Sequence, residues 1–155
     1  MFCERILSVG EASFPVIRQN LIDNYGIILS KDGRRSARYG ADAHRVGFLK
    51  FLEFIKANLE GKTSIRVDPN WASQSSTLQG FSTFMSSDVV IRETELSEGL
   101  AYLSAQVKSA CPALTQSDTS TEFELAEIYD AEVERACRGA SQRDYMAFGF
   151  SAWEN

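Results

Sequence analysis

Phe48, Leu52, Ile55 and Leu59 recur at intervals of four, three and four residues, the spacing that lines apolar side chains along one face of an α-helix. Gly61 follows just beyond, where a left-handed residue closes a helix. A helix patterned this way draws its stability from whatever covers its stripe, so the chain must supply covering elements. The candidates are helical too. Pro15 suits the first turn of a helix carrying Ile17, Leu21 and Tyr25, and the opening segment reads as a second short helix meeting it near Phe14. Leu96, Leu100, Leu103 and Val107 make the apolar face of a helix that begins near Leu96 and is expected to stop at Pro112. Thr121 and Glu124 have capping-box spacing and predict a helix over residues 121–138, with Gly139 at its end. A last helical turn over residues 143–148 closes on Gly149.

One stretch carries the other signature. Asp88-Val89-Val90-Ile91-Arg92 is a short β-branched run and reads as a buried strand of parallel type. Ile65 and Val67 lead into a turn at Asp68-Pro69-Asn70-Trp71, where the proline restricts the residue before it to extended geometry. The expectation is one domain over residues 1–155, mostly helical, with one or two short strands. A lone buried strand needs neighbours on both edges, and the chain offers few.

With 155 residues, 44% of them hydrophobic and ten of them Phe, the chain can bury a real core; with 24% charged residues it falls outside the disordered class. Its net charge of −5 argues against a general binder of nucleic acid or anionic membrane, since both need a cationic field. Lys31, Arg34, Arg35, Arg38 and Arg45 are a local exception; they read as a solvated loop, with an anion-binding surface as the alternative. Cys3, Cys111 and Cys137 are odd in number and widely spaced, without a CxxC pair, so no zinc site is expected, and they read as thiols in a reducing compartment. The chain as given shows no signal-peptide succession and no apolar run of membrane-spanning length, which suggests a cytoplasmic, soluble polypeptide.

Familiar catalytic patterns are missing. His44, the only histidine, lies beside the basic stretch and reads as a solvated loop residue. No G-x-S-x-G, HExxH or P-loop lysine pattern occurs. Glu122, Glu124, Glu127, Glu132 and Glu134 are expected on the wet side of their helix.

Four segments, in order, resemble those of another family. Phe2-Cys3-Glu4-Arg5-Ile6-Leu7-Ser8 is similar to the R-x-P-x-x-R-L-x-S segment of sulfotransferases that use the sulfate donor PAPS, entered just after its first arginine. Val67-Asp68-Pro69-Asn70-Trp71-Ala72-Ser73-Gln74 resembles the D-x-H-W-x-P-Q turn of the members that mostly sulfate carbohydrates. There Asp68, Trp71 and Gln74 fit, while Asn70 replaces His and Ser73 replaces Pro. Asp88-Val89-Val90-Ile91-Arg92 with Leu96, Glu98 and Leu100 resembles the strand-to-helix passage f-v-x-R-x-E-x-L-x-x-D-L, with Thr94 and Gly99 at its acidic positions. Ile128-Tyr129, then Arg143-Asp144-Tyr145 and Phe148-Gly149-Phe150, resemble the family ending Y-x-x-D, then x-D-Y-x-x-F-G-Y.

The resemblance implies an α/β fold of the P-loop-like sulfotransferase type and transfer of a sulfuryl group from PAPS to a hydroxyl or amine, commonly of a sugar, with no metal required. It implies that Arg5 and Ser8 grip the donor's 3′-phosphate and that Asp68, Trp71 and Gln74 belong to the substrate side. It assigns no catalytic base. The family's P-K-x-G-[ST]-[ST] loop, which holds the phosphosulfate, is not found in these residues. The chain therefore reads as the C-terminal portion of such a domain: a fragment, a decayed remnant, or one half of a split protein completed by an N-terminal segment or a second copy. Carbohydrate-type members are anchored in the Golgi membrane by an N-terminal span, so that compartment is the alternative location. The rival class is a non-catalytic helical interaction domain.

Overall fold

The computed structural model describes residues 1–11, 13–29, 39–111, 113–114 and 123–153. Among them the chain forms seven α-helices: α1 (Pro15–Tyr25), α2 (Ala41–Leu59), α3 (Gln74–Ser82), α4 (Leu96–Val107), α5 (Leu125–Ile128), α6 (Ala131–Ala140) and α7 (Gln142–Phe148). A π-helical turn, Phe2–Leu7, precedes them, and a 3-10 turn, Glu93–Glu95, leads into α4. Contacts divide the chain into a larger unit, Met1–Thr77 with Thr121–Asn155, and a smaller one, Leu78–Ser120.

In the larger unit α2 is the hub, packed against α1, α5 and α6. Phe51, Phe54, Leu52 and Ile55 face inward from it, and they meet Phe2, Ile6 and Leu7 from the opening turn, Ile17 and Leu21 from α1, and Val133 from α6. The periodicity placed Leu52 and Ile55 correctly, but Phe48 and Leu59 are only half-buried, Phe51 and Phe54, the most deeply buried side chains of α2, lie outside the repeat, and the start of the helix was not marked. α2 begins at Ala41, N-capped by Gly40, so the helix takes in His44. His44 is consequently buried rather than solvated. Its ring stacks on Phe123 at 4.6 Å, its Nδ1 lies 3.3 Å from the Tyr39 hydroxyl, and its Nε2 lies 3.8 Å from Cys3 Sγ.

Arg18 of α1 is also buried, and its guanidinium donates to the carbonyls of Ile6 and Leu7, the latter at 2.9 Å. Those carbonyls end the opening turn and have no later residue of that turn to bond to, so the arginine closes it from outside. The single helix expected over 121–138 is two. Asp130 breaks it because its carboxylate accepts from the backbone N–H groups of Glu132 (2.9 Å) and Val133 (3.0 Å), N-capping α6. Gly139 lies inside α6, which runs on to Ala140. Glu134 is not on the wet side either: it is half-buried and accepts from the Tyr129 hydroxyl.

Arg45 reaches from α2 to the start of α6, with Nη2 at 2.6 Å from Asp130 and 2.5 Å from Glu132. These groups are in or near solvent, so salt should screen their attraction. Arg45→Ala is expected to lower Tm by a few degrees in low-salt buffer. The difference from the parent should shrink in molar sodium chloride, as read by circular dichroism melts.

The expected α/β architecture is not what the chain adopts. Among the described residues there is no β-strand. Residues 88–92, expected as a buried parallel strand, lie in the smaller unit with Val89 and Val90 45% and 57% exposed. A parallel strand must be hydrogen-bonded along its edges and covered on both faces, and the described residues of this unit supply neither. Instead Ile91 rests on α4 at Gly99, where an added Cβ would lie only 2.6 Å from Ile91 Cγ2. The apolar face of α4 stays incompletely covered: Leu96, Leu100 and Leu103 are half-buried and Val107 is exposed. α4 ends at Val107, with Lys108 left-handed at φ 53°, before reaching Pro112. Lys31, Arg34, Arg35, Arg38, Pro112, Thr121 and Glu122 lie outside the described residues.

Candidate functional site

The turn from Asp68 to Gln74 is built by its own polar side chains. Asp68 Oδ1 accepts from the Asn70 backbone N–H at 2.9 Å and from Asn70 Nδ2 at 2.6 Å, while the Asp68 carbonyl accepts from Trp71 and Ala72 N–H. This drives Trp71 into the core. The indole is 8% exposed and meets Phe14, Phe51 and Phe54 edge-to-face at ring-centre distances of 5.9, 6.3 and 6.0 Å. Its N–H donates to Asn58 Oδ1 at 2.8 Å. Asn58 is buried on the apolar side of α2, and it satisfies its own amide by donating to Thr63 Oγ1 at 2.8 Å and to the Ile65 carbonyl at 2.6 Å.

Asp144 of α7 closes the other end of the turn. Its Oδ1 accepts from Ser73 Oγ at 2.7 Å, Ser75 N–H at 2.9 Å and Ser75 Oγ at 2.8 Å, and its Oδ2 accepts from Gln74 N–H at 2.9 Å. A carboxylate from one helix thus occupies the N-terminus of another, α3, and engages N–H groups that have no partner within their own first turn. Burial alone would raise the Asp144 pKa, but these donors outweigh it and hold the carboxyl below its ordinary range.

Arg5 and Ser8 lie on the opening turn. Ser8 is exposed and follows the turn's last residue, so it does not stand at a helix start; its hydroxyl donates to the Cys3 carbonyl at 3.0 Å. Arg5 is half-buried, with its guanidinium 5.5 Å from the centre of the Phe14 ring. Phe14 is the ring that the Trp71 indole also meets, and its N–H donates to the Arg5 carbonyl at 2.9 Å. Arg5, Phe14 and Trp71 therefore form one contact series. Gln74 is exposed and contributes its backbone, not its amide, to the Asp144 arrangement.

Three of the four segments singled out in the sequence thus belong to one connected set in the larger unit: the opening turn through Phe14 to Trp71, and the Asp68–Gln74 turn through Ser73 and Ser75 to Asp144. The remaining segment, residues 88–92, belongs to the smaller unit. The supporting roles of Asn58, Arg18 and Asp144 were not read from the sequence. Asn58 left a signal: a polar residue between Ile55 and Leu59 on an apolar stripe must find a partner or leave a buried amide unpaired. Among the described residues, no group of three or more His, Cys, Asp or Glu comes together to hold a metal ion. None of their helices is long and apolar enough to cross a membrane.

No family model, curated protein or solved structure matches the chain.

Proposed function

We propose that the chain provides the 3′-phosphate wall and acceptor-side helices of a PAPS-dependent sulfotransferase acting on a hydroxyl or amine, of a carbohydrate in the first instance. The observation that carries this reading is the connection of Arg5 to Trp71 and of the Trp71 turn to Asp144, which makes one packed unit of residues far apart in the chain. Within this reading, Ser8 turns its hydroxyl from the Cys3 carbonyl to a phosphate oxygen, and Arg5 adds a guanidinium beside it. Sulfuryl transfer depends mainly on positioning and on donors aimed at the moving charge. The phosphosulfate cradle and the group that meets the leaving phosphate then come from a complementing segment.

Calorimetric titration with adenosine 3′,5′-bisphosphate tests the wall directly. The parent chain is expected to bind, and Ser8→Ala to bind about tenfold more weakly, the loss of one charge-assisted hydrogen bond of about 1.5 kcal/mol. Absence of binding, or equal binding by the variant, defeats the assignment.

A second reading is favoured by one observation. In the smaller unit Phe81, Phe84, Met85, Val89 and Val90 are 66%, 92%, 79%, 45% and 57% exposed, a concentration of apolar side chains that marks an interaction surface. On that reading the chain is a helical binding module. Inert nucleotide titrations combined with concentration-dependent self-association, relieved by Phe84→Ser, would select it.

A further inference from the structure

A cavity of about 450 Å³ opens in the larger unit between the Trp71 turn and the α6–α7 junction. Its apolar lining residues are Leu59, Val67, Ala72 and Ala140. Several polar groups on its wall are already engaged: the Ser73 hydroxyl donates to Asp144, the Thr77 hydroxyl donates to the Ser73 carbonyl, and Asp144 is saturated by four donors. Glu60 is held by Lys62 at 2.6 Å, and that contact lowers its carboxyl pKa.

Four donor groups of the lining are left over. Ser76, Ser141, Gln142 and Arg143 line the cavity, and among the described residues none of their side chains has a protein partner. Arg143 is the only cation among the lining residues. A guanidinium and neutral donors in one cavity with apolar lining residues match a ligand that joins a carboxylate to a short apolar group. A second anionic group on that ligand would meet the ionised Glu60, which favours a monocarboxylate.

We propose that this cavity binds an amphiphilic monocarboxylate, with the carboxylate paired to Arg143 and the apolar group against Leu59, Val67, Ala72 and Ala140. The chemistry is shared by a small branched-chain acid and by the C-terminus of a peptide with an apolar last residue. The proposal goes beyond the donor-wall reading and does not depend on Arg5 or Ser8.

The test is titration of the full chain, followed by backbone amide chemical shifts, with N-acetyl-leucine and with N-acetyl-leucine amide. The acid is expected to bind and to shift the amides of Ser76, Ser141, Gln142 and Arg143, and the neutral amide to bind at least tenfold more weakly. Arg143 is exposed, so Arg143→Gln should melt like the parent while losing about tenfold in affinity; Arg143→Lys should keep part of it. Equal binding of acid and amide, an unchanged affinity in Arg143→Gln, or no binding of either probe at millimolar concentration overturns the proposal. A tripeptide ending in leucine separates the two sources: tighter binding than the single residue identifies a peptide C-terminus, weaker binding a small acid. The outcome is independent of adenosine 3′,5′-bisphosphate titration, so either reading can fail alone.

Discussion

Trp71→Ala is expected to destabilise the chain by about 3–5 kcal/mol, the usual cost of removing a large aromatic side chain from a core. The indole stands against three phenyl rings and is 8% exposed, so truncation opens a void beside Phe14, Phe51 and Phe54 that rigid helices cannot close. It also strips Asn58 Oδ1 of its donor inside that void. Trp71→Phe separates the two effects. It keeps most of the ring burial and loses the N–H, so about 1–2 kcal/mol should be lost through the unpaired amide oxygen. Urea unfolding followed by circular dichroism reads both values. A Trp71→Ala variant within 1 kcal/mol of the parent would falsify the placement of the indole in the core, at the scale expected for surface substitutions.

The second large effect is expected at Asp144. Asp144→Ala leaves the backbone N–H groups of Gln74 and Ser75 and two serine hydroxyls without their acceptor, at a cost of about 2–4 kcal/mol. Asp144→Asn is a sharper probe, because its amide group turns two hydrogens toward a site built entirely of donors. The pH dependence follows from the same contacts. Burial raises the carboxyl pKa and the donors lower it further than burial raises it, so the folded value lies below the unfolded one of about 3.9. The carboxylate's contribution is therefore complete above the unfolded pKa and disappears as pH falls through the folded value. Unfolding midpoints of the parent and Asp144→Asn should converge as pH falls from about 5, above the unfolded value, through the lower folded one. A constant gap would mean that the charge of Asp144 contributes nothing to α3. Asp130, Glu60 and Glu134 also have lowered carboxyl pKa values, and comparison with the Asn variant cancels them.

The helices were legible where apolar residues repeat. Phe48, Leu52, Ile55 and Leu59 fixed α2, and Pro15 placed the start of α1. The first turns of α2 were not legible, because Ala41, Asp42, Ala43 and Gly47 carry no large apolar side chain to mark a face. His44 was misplaced for that reason. The break at Tyr129 and Asp130 was hidden because an aspartate in a helical stretch is read as solvated until its carboxylate is seen on the N–H groups of the next helix. Residues 88–92 misled through composition alone. A β-branched run signals a strand only if edges exist to pair with it, and in the described residues that run has Gly99 of α4 under Ile91 in place of another strand. Trp71 was legible as part of a turn, whereas its burial, its link to Asn58 and the clasp of Asp144 on Ser73, Gln74 and Ser75 depend on contacts at long sequence separation, which no local pattern encodes.

α2 packs against both α1, which precedes it, and α6, which follows more than seventy residues later, and among the described residues Arg45 is paired with Asp130 and Glu132. During synthesis, then, the face that α6 will cover stays open while the intervening chain is made. At ~5–20 residues per second that delay is on the order of ten seconds. Ribosome-bound chains whose emerged part ends before Ala131 should therefore be strong clients of holdase chaperones, and emergence of the chain past Ala140 should release them.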